Sequence, residues 1–359
     1  MLRHPILSLL AAIAIGCTAT GQQVYVPASS DNILYMGRIH WGDSASPEFT
    51  YPGTTAMLNF TGTSLAMAAS PGSGQFMVEL DSLKPFKINF TPADSLIVIA
   101  DSLPEGAHSA RITYAIEGYD HHPHFRGFYL SLDGKLLDAP ARPQLRIEFI
   151  GNSITCGYGT EADDPKEGFS YDTENHTLSY AYLTGRALDA DVNVVARSGI
   201  GMYRYYGGPR EGTDKTIPEE YDRTMLYRAE YPWNHSSFVP DIVCINLGTN
   251  DTSLGNYDID RFEAAYGKFV AHLRELYPNA KIVLLTGSMM SGKALSDVKD
   301  VLDRLAAQND GVYRFDMTPQ DGSLGYGADY HPSRRQAEKM AAEVTKIVDE
   351  EGNTLKDLK

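Results

Sequence analysis

The second half of the chain alternates two kinds of segment, and that alternation restricts the fold more than any other feature. After Pro143 five short apolar runs recur, over 145–150, 191–196, 241–246, 281–286 and 312–315. Stretches of helical character separate most of them, over 177–188, 259–276, 293–309 and 333–349. Within the second of these, Phe262, Tyr266, Phe269, Val270 and Leu273 fall on one helix face. Strand and helix in alternation give a parallel sheet between two helix layers, because parallel strands need long crossovers. Sheets of this kind place their active sites at the C-terminal strand ends.

Three motifs lie at such ends or close to them. Gly151-Asn152-Ser153-Ile154-Thr155 follows the first run, and Gly248-Thr249-Asn250-Asp251 follows the third. Asp329-Tyr330-His331-Pro332 precedes the last helix. A hydroxyl, a side-chain amide and an imidazole are the minimum set for acyl transfer. Ser153 reads as the nucleophile and His331 as its base. Asn250 reads as an oxyanion donor, with the backbone N–H groups of Ser153 and Gly199 completing the hole. Taken singly, Ser153 reads as a helix cap and Gly199 as a turn glycine; their co-occurrence at matching strand ends favours catalysis. The third triad member is open. Asp329 stands two residues before His331, whereas esterases of this build often place the acid three before, where Ala328 stands here. Either the Asp329 carboxylate or a backbone carbonyl orients the imidazole, and the spacing leans toward the carbonyl.

The first half reads differently. From about Val24 to Pro140, short strands recur between Gly, Pro, Asp and Ser, ending near the hairpin signal Asp133-Gly134. That is a β-sandwich pattern, so the expected domains are 22–142 and 143–359. Residues 1–21 read as a signal peptide: Arg3 and His4, an apolar stretch from Ile6 to Ile15, then small residues. Lipidation at Cys17 is the rival reading, so the expected location is secreted or periplasmic, or anchored in the outer membrane through Cys17. The net charge of −15, without a run of lysine or arginine, argues against nucleic acid or an anionic membrane surface as partner. Asp120-His121-His122-Pro123-His124 reads as a solvated loop rather than a metal site, and Cys244 as a buried small residue with a disulfide to Cys156 disfavoured. The long segment 202–240 carries Tyr203, Tyr205, Tyr206, Tyr221, Tyr227, Tyr231 and Trp233. These aromatics either stack on sugars or pack the loop onto the sheet.

Gly151-Asn152-Ser153, Gly199, Asn250 and His331 match the four signature blocks of the SGNH (GDSL-type) hydrolase superfamily. The longer string Gly151 to Gly159 and Asp329-Tyr330-His331-Pro332 resemble carbohydrate esterase family 2, which often has tryptophan at the place of Tyr330. Tyr35-Met36-Gly37-Arg38, Tyr51-Pro52-Gly53, Phe60-Thr61-Gly62-Thr63 and Arg126-Gly127-Phe128 resemble that family's accessory domain. The resemblance implies a jelly-roll sandwich followed by a three-layer α/β SGNH domain. It implies removal of O-acetyl groups from xylan or glucomannan, with preference for the 6-O position, and no cofactor or metal. Some family members work with a Ser–His dyad. The expected partner is an acetylated polysaccharide or oligosaccharide, with Tyr158, Tyr330 and Trp233 as candidate sugar contacts. Nucleic acid and nucleotides are excluded, and a membrane enters only through Cys17. The rival functions are a lipase or lysophospholipase on the same frame, and a carbohydrate-binding protein without catalysis.

Overall fold

The computed structural model describes residues 23–348, so the leader and Cys17 lie outside the described residues. Ten strands come first: β1 (Val24–Pro27), β2 (Leu34–Met36), β3 (Thr55–Thr61), β4 (Leu65–Ala69), β5 (Gly74–Leu80), β6 (Phe86–Phe90), β7 (Leu96–Ala100), β8 (Ala107–Tyr114), β9 (Phe125–Leu130) and β10 (Lys135–Leu136). They form two antiparallel sheets, β1-β9-β4-β7 and β10-β3-β8-β5-β6, with β2 added on β3. Alternate residues of both sheets point inward into one core, with Leu65, Met67 and Phe128 from the first and Leu58, Phe76 and Ile112 from the second. The first half is thus a sandwich.

The second half comprises β11 (Arg146–Gly151), α1 (Ser153–Cys156), α2 (Tyr180–Ala187), β12 (Asp191–Ala196), α3 (Ile217–Glu220), β13 (Ile242–Asn246), α4 (Ile259–Leu276), β14 (Lys281–Thr286), α5 (Gly292–Gln308), β15 (Val312–Asp316) and α6 (Arg334–Ile347). The five strands are all parallel, in the order β12-β11-β13-β14-β15. Helices α4 and α5 cover one face through Phe262, Phe269, Val298 and Leu302, against Val243, Ile245, Ile282 and Leu284. Helices α2 and α6 cover the other, with Tyr180, Met340 and Val344 against Phe149, Cys244 and Val283. The helix expected over 177–188 is broken: His176–Leu178 is a 3-10 turn, and the Ser179 hydroxyl then caps α2 by accepting from Tyr182 N–H. Cys156 and Cys244 are free and buried. Among the described residues no helix is long and apolar enough to cross a membrane.

A buried ion pair joins the halves. Arg38, in the turn after β2, donates to Glu148 Oε1 in the middle of β11 at 3.1 Å, and both side chains are fully buried. Glu148 also accepts from Asn193 Nδ2 at 2.7 Å and from the Tyr221 hydroxyl. The Arg38 guanidinium donates to the carbonyls of Tyr221 and Arg223 and lies over the Tyr221 and Trp233 rings at 5.0 and 4.9 Å. Every charge here has partners, which a buried pair requires to persist. Removing one partner strands the other charge in the interior, typically at a cost of about 3–5 kcal/mol. Arg38→Met is therefore expected to lower the urea-unfolding free energy by an amount in that range, and a change below about 1 kcal/mol would show that the pair is dispensable.

Candidate active site

The strand order decides where the site forms. The chain leaves β11 toward β12 on one side and returns to β13 on the other, so a crevice opens at the C-terminal ends of these three strands. The loops after them carry Ser153, Gly199 and Asn250. Ser153 is the first residue of α1, but it is not the cap. Asn152 is, its side-chain oxygen accepting from Ile154 N–H at 3.1 Å. The Ser153 hydroxyl is thereby left for chemistry.

That hydroxyl lies 2.8 Å from His331 Nε2. His331 Nδ1 meets the carbonyl oxygen of Ala328 at 3.0 Å. A carbonyl can only accept, so Nδ1 carries the proton and Nε2 presents its lone pair to the serine. The Asp329 carboxylate goes elsewhere: it accepts from the Tyr158 hydroxyl. The Tyr158 ring in turn stacks on the His331 ring, with centroids 4.0 Å apart and planes 19° from parallel. Burial, the largest influence, pushes the His331 pKa down to about 4.

The carbonyl reaches Nδ1 because the backbone folds tightly. Asp329 and Tyr330 are both left-handed, with φ of +47° and +58°. The loop after α1 holds them there: Ala328 N–H donates to Gly159 O, Asp329 N–H to Glu167 O and Tyr330 N–H to Pro165 O. Gly159 approaches so closely that a Cβ on it would stand 2.7 Å from Ala328 N, which reserves the position for glycine.

The expected oxyanion donors are equally constrained. Asn250 is buried, and its Nδ2 donates one hydrogen to the Ile200 carbonyl at 2.7 Å. A side-chain amide has two hydrogens on nitrogen, so this bond orients the group and leaves a second donor. Gly199 is left-handed, with φ of +78°. Next to Asn250, the buried Asp251 carboxylate accepts from the N–H groups of Met202 and Tyr203 at 2.8 and 2.9 Å, which pins the rest of the loop after β12. Ser153, Tyr158, Ser198, Gly199, Tyr206, Asn250, Asp329, Tyr330 and His331 are among the residues that line one pocket of about 500 Å³. Burial, its largest influence, raises the Asp251 pKa to about 6.

Residues 35–140 match the family model described as carbohydrate esterase 2 N-terminal, and residues 149–348 match the GDSL-like lipase/acylhydrolase family. The chain is 30% identical over 328 residues to an acetylxylan esterase / glucomannan deacetylase of Cellvibrio japonicus, covering 89% of each. The chain belongs to carbohydrate esterase family 2. The esterase is also 37% identical over 324 residues to the cellulase/esterase CelE of Acetivibrio thermocellus, matching 87% of this chain but only 39% of that relative's length. Its fold superposes on a family two carbohydrate esterase from Clostridium thermocellum in complex with cellohexaose, with a TM-score of 0.81, 36% identity and coverage of 88% and 97% of the two chains. A family two carbohydrate esterase from Cellvibrio japonicus gives a TM-score of 0.82 at 28% identity, covering 90% of this chain and 96% of that one.

The remaining expected site residues divide. Tyr158 and Tyr330 line the pocket of the esterase, and Tyr330 is half exposed. Trp233 does not: its ring packs on the Arg38 guanidinium and lines a separate depression with Tyr35 and Trp41. That indole covers the buried ion pair and lies away from the pocket around Ser153. The aromatics of 202–240 divide, since Tyr203 and Tyr221 enter the core while Tyr205 and Tyr206 stand at the surface. In the histidine-rich loop, His121 Nδ1 faces the Gly72 carbonyl and His124 Nε2 faces Glu48, so the rings turn to different partners. Among the described residues one group has metal-ligand atoms within 4.8 Å of one another, Glu117, Cys156 and Glu174. There the Cys156 thiol donates to Glu117.

Two outcomes follow for His331. Only the neutral imidazole can take the serine proton, so kcat/KM for nitrophenyl acetate is expected to rise with pH through about 4 and to be level at neutrality. An acid limb centred at the ordinary imidazole value of about 6.5 or higher would contradict this. Asp329→Ala is expected to lower kcat by less than about 100-fold, because the Ala328 carbonyl still fixes the tautomer, whereas loss of a triad acid costs roughly 10⁴-fold. A drop on Asp329→Ala as large as that on His331→Ala would make the carboxylate indispensable.

Proposed function

We propose that this family 2 esterase removes O-acetyl groups from plant polysaccharides such as xylan and glucomannan, with primary 6-O esters as the preferred position. Its relatives' names, acetylxylan esterase / glucomannan deacetylase and cellulase/esterase, support the reaction class. The observation that carries the reading is the 2.8 Å contact between Ser153 Oγ and His331 Nε2, in a pocket that Gly199 and Asn250 also line.

Ser153 attacks the acetyl carbonyl carbon as His331 Nε2 takes its proton. The carbonyl oxygen becomes an oxyanion, received by the backbone N–H groups of Ser153 and Gly199 and by the second hydrogen of Asn250 Nδ2. The tetrahedral intermediate collapses, His331 delivers the proton to the departing sugar oxygen, and an acetyl-serine remains. Water, deprotonated by the same imidazole, repeats the attack and releases acetate. Specificity comes from the sugar side. The exposed rings of Tyr206 and Tyr330 border the pocket and offer flat faces to a pyranose. The leader read in residues 1–21 fits export to the polysaccharide, with Cys17 lipidation the alternative.

The test is acetate release from acetylated xylan, acetylated glucomannan and mono-acetylated sugars, alongside acetyl and octanoyl nitrophenyl esters. Acetyl turnover is expected to dominate. Ser153→Ala is expected to fall below a hundredth of it, and Asn250→Ala to lose roughly 100–1000-fold in kcat at nearly unchanged KM. Faster octanoyl turnover would favour the lipase reading, and an active Ser153→Ala would remove the nucleophile.

A further inference from the structure

The loop after β12 begins at a bond from the other half of the molecule. The N–H of Ser198, one residue before Gly199, donates to Glu117 Oε2 at 2.6 Å. Glu117 belongs to the sandwich, three residues past the end of β8, and is only 1% exposed. The same oxygen accepts from the Cys156 thiol at 3.4 Å, and Cys156 is the last residue of α1, the turn that Ser153 begins. One carboxylate oxygen therefore ties the nucleophile's helix to the start of the oxyanion loop. Downstream, Tyr206 N–H donates to Gly199 O and Asn250 Nδ2 to Ile200 O. Glu117 is the support on the upstream side.

A carboxylate in this position must be stabilised. Burial raises the pKa of Glu117 and raises that of the neighbouring Glu174 much further, with repulsion from Glu117 adding to the latter. Glu117 holds the Ser198 N–H and lies near the Arg197 guanidinium, which is itself set over the Tyr119 and Tyr227 rings at 4.7 and 5.4 Å. Glu174 instead accepts from Glu117 N–H at 3.3 Å and has its second oxygen unpartnered. Burial and the repulsion from Glu117 thus favour a proton on Glu174 more strongly than on Glu117.

We propose that Glu117 is a positioning residue for ester hydrolysis: an acceptor supplied by the sandwich that sets the peptide before Gly199, and with it the oxyanion-binding N–H. The proposal rests on the reading of Gly199 as an oxyanion donor. Glu117 touches no reacting atom; it acts through the two segments it ties together, above all through where the Gly199 N–H points. An ångström of misplacement in such a group can cost about 100-fold in rate. It also gives the sandwich a share in turnover rather than only in binding.

Reach and charge can be separated. Glu117→Gln keeps an acceptor at the same reach and loses the charge; Glu117→Asp keeps the charge and falls about one methylene short. Glu117→Met fills the volume with no acceptor. On nitrophenyl acetate, Glu117→Gln is expected to stay within about 3-fold of the parent kcat, while Asp and Met lose about 10–100-fold with KM within about 2-fold. Affinity for phenylboronic acid, whose tetrahedral serine adduct places an oxygen in the hole, is expected to fall in step with kcat/KM. Thermal melts of all three variants show that the fold persists; where one does not fold, the other two decide. An Asp or Met variant with parent kcat overturns the proposal. So does a Gln variant as slow as Asp, or a loss confined to KM. Ser153→Ala is measured alongside. If it is inactive while Glu117→Asp is fully active, only the role of Glu117 falls; if it is active, the mechanism itself falls.

Discussion

The site depends on one topological constraint, the position of β11 between β12 and β13 in a wholly parallel sheet. Because the chain departs in opposite directions from that central strand, three loops converge where the strands end, and none has to be long to do so. Ser153, Gly199 and Asn250 come together for that reason and not through any direct bond between them. The fully buried Arg38–Glu148 pair fixes the same strand from below, five residues before Ser153. Position in the sheet and attachment to the sandwich are thus both set along β11.

Within that frame the proposed base, His331, is oriented by backbone. A carbonyl does not titrate, so wherever the His331 imidazole is neutral its tautomer is the same. What a carbonyl lacks is a full negative charge to meet the imidazolium formed during attack. The stacked Tyr158 ring, with its hydroxyl bonded to the Asp329 carboxylate, supplies partial compensation, because the face of an aromatic ring attracts a cation. Asp329 thereby influences the imidazole at one remove. This arrangement is consistent with a dyad that keeps an acid nearby without bonding it.

Much of this was legible in the sequence because the relevant signals are local. Four of the five apolar runs are central or well-covered strands, β15 at the sheet edge being the exception, and their composition marks them. Ser153, Asn250 and His331 stand in short strings whose place at strand ends follows from the alternation alone. In the first half the pattern is weakest in β1, β2, β6 and β10, which lie at the sheet margins, where half-exposed residues blur it. Trp233 misled because composition cannot tell an aromatic that meets sugar from one that covers a buried guanidinium. Glu117 was silent for a related reason. Its partners Ser198 and Cys156 are 81 and 39 residues away, and nothing in the string Ile116-Glu117-Gly118 announces a buried carboxylate. The roles of Asp251 and Gly159 likewise appear only when distant backbone is brought beside them.

The paired left-handed residues Asp329 and Tyr330 have a consequence for heat. Left-handed backbone at residues other than glycine costs on the order of 1–3 kcal/mol each, and persists only while the surroundings enforce it. Here the enforcement comes from three peptide hydrogen bonds to the loop 159–167, which lies outside both the sheet and its flanking helices. That segment can let go while the sheet remains intact, and the imidazole then loses its carbonyl. Inactivation on warming is thereby expected to precede melting, and to reverse on cooling because the sheet need not come apart.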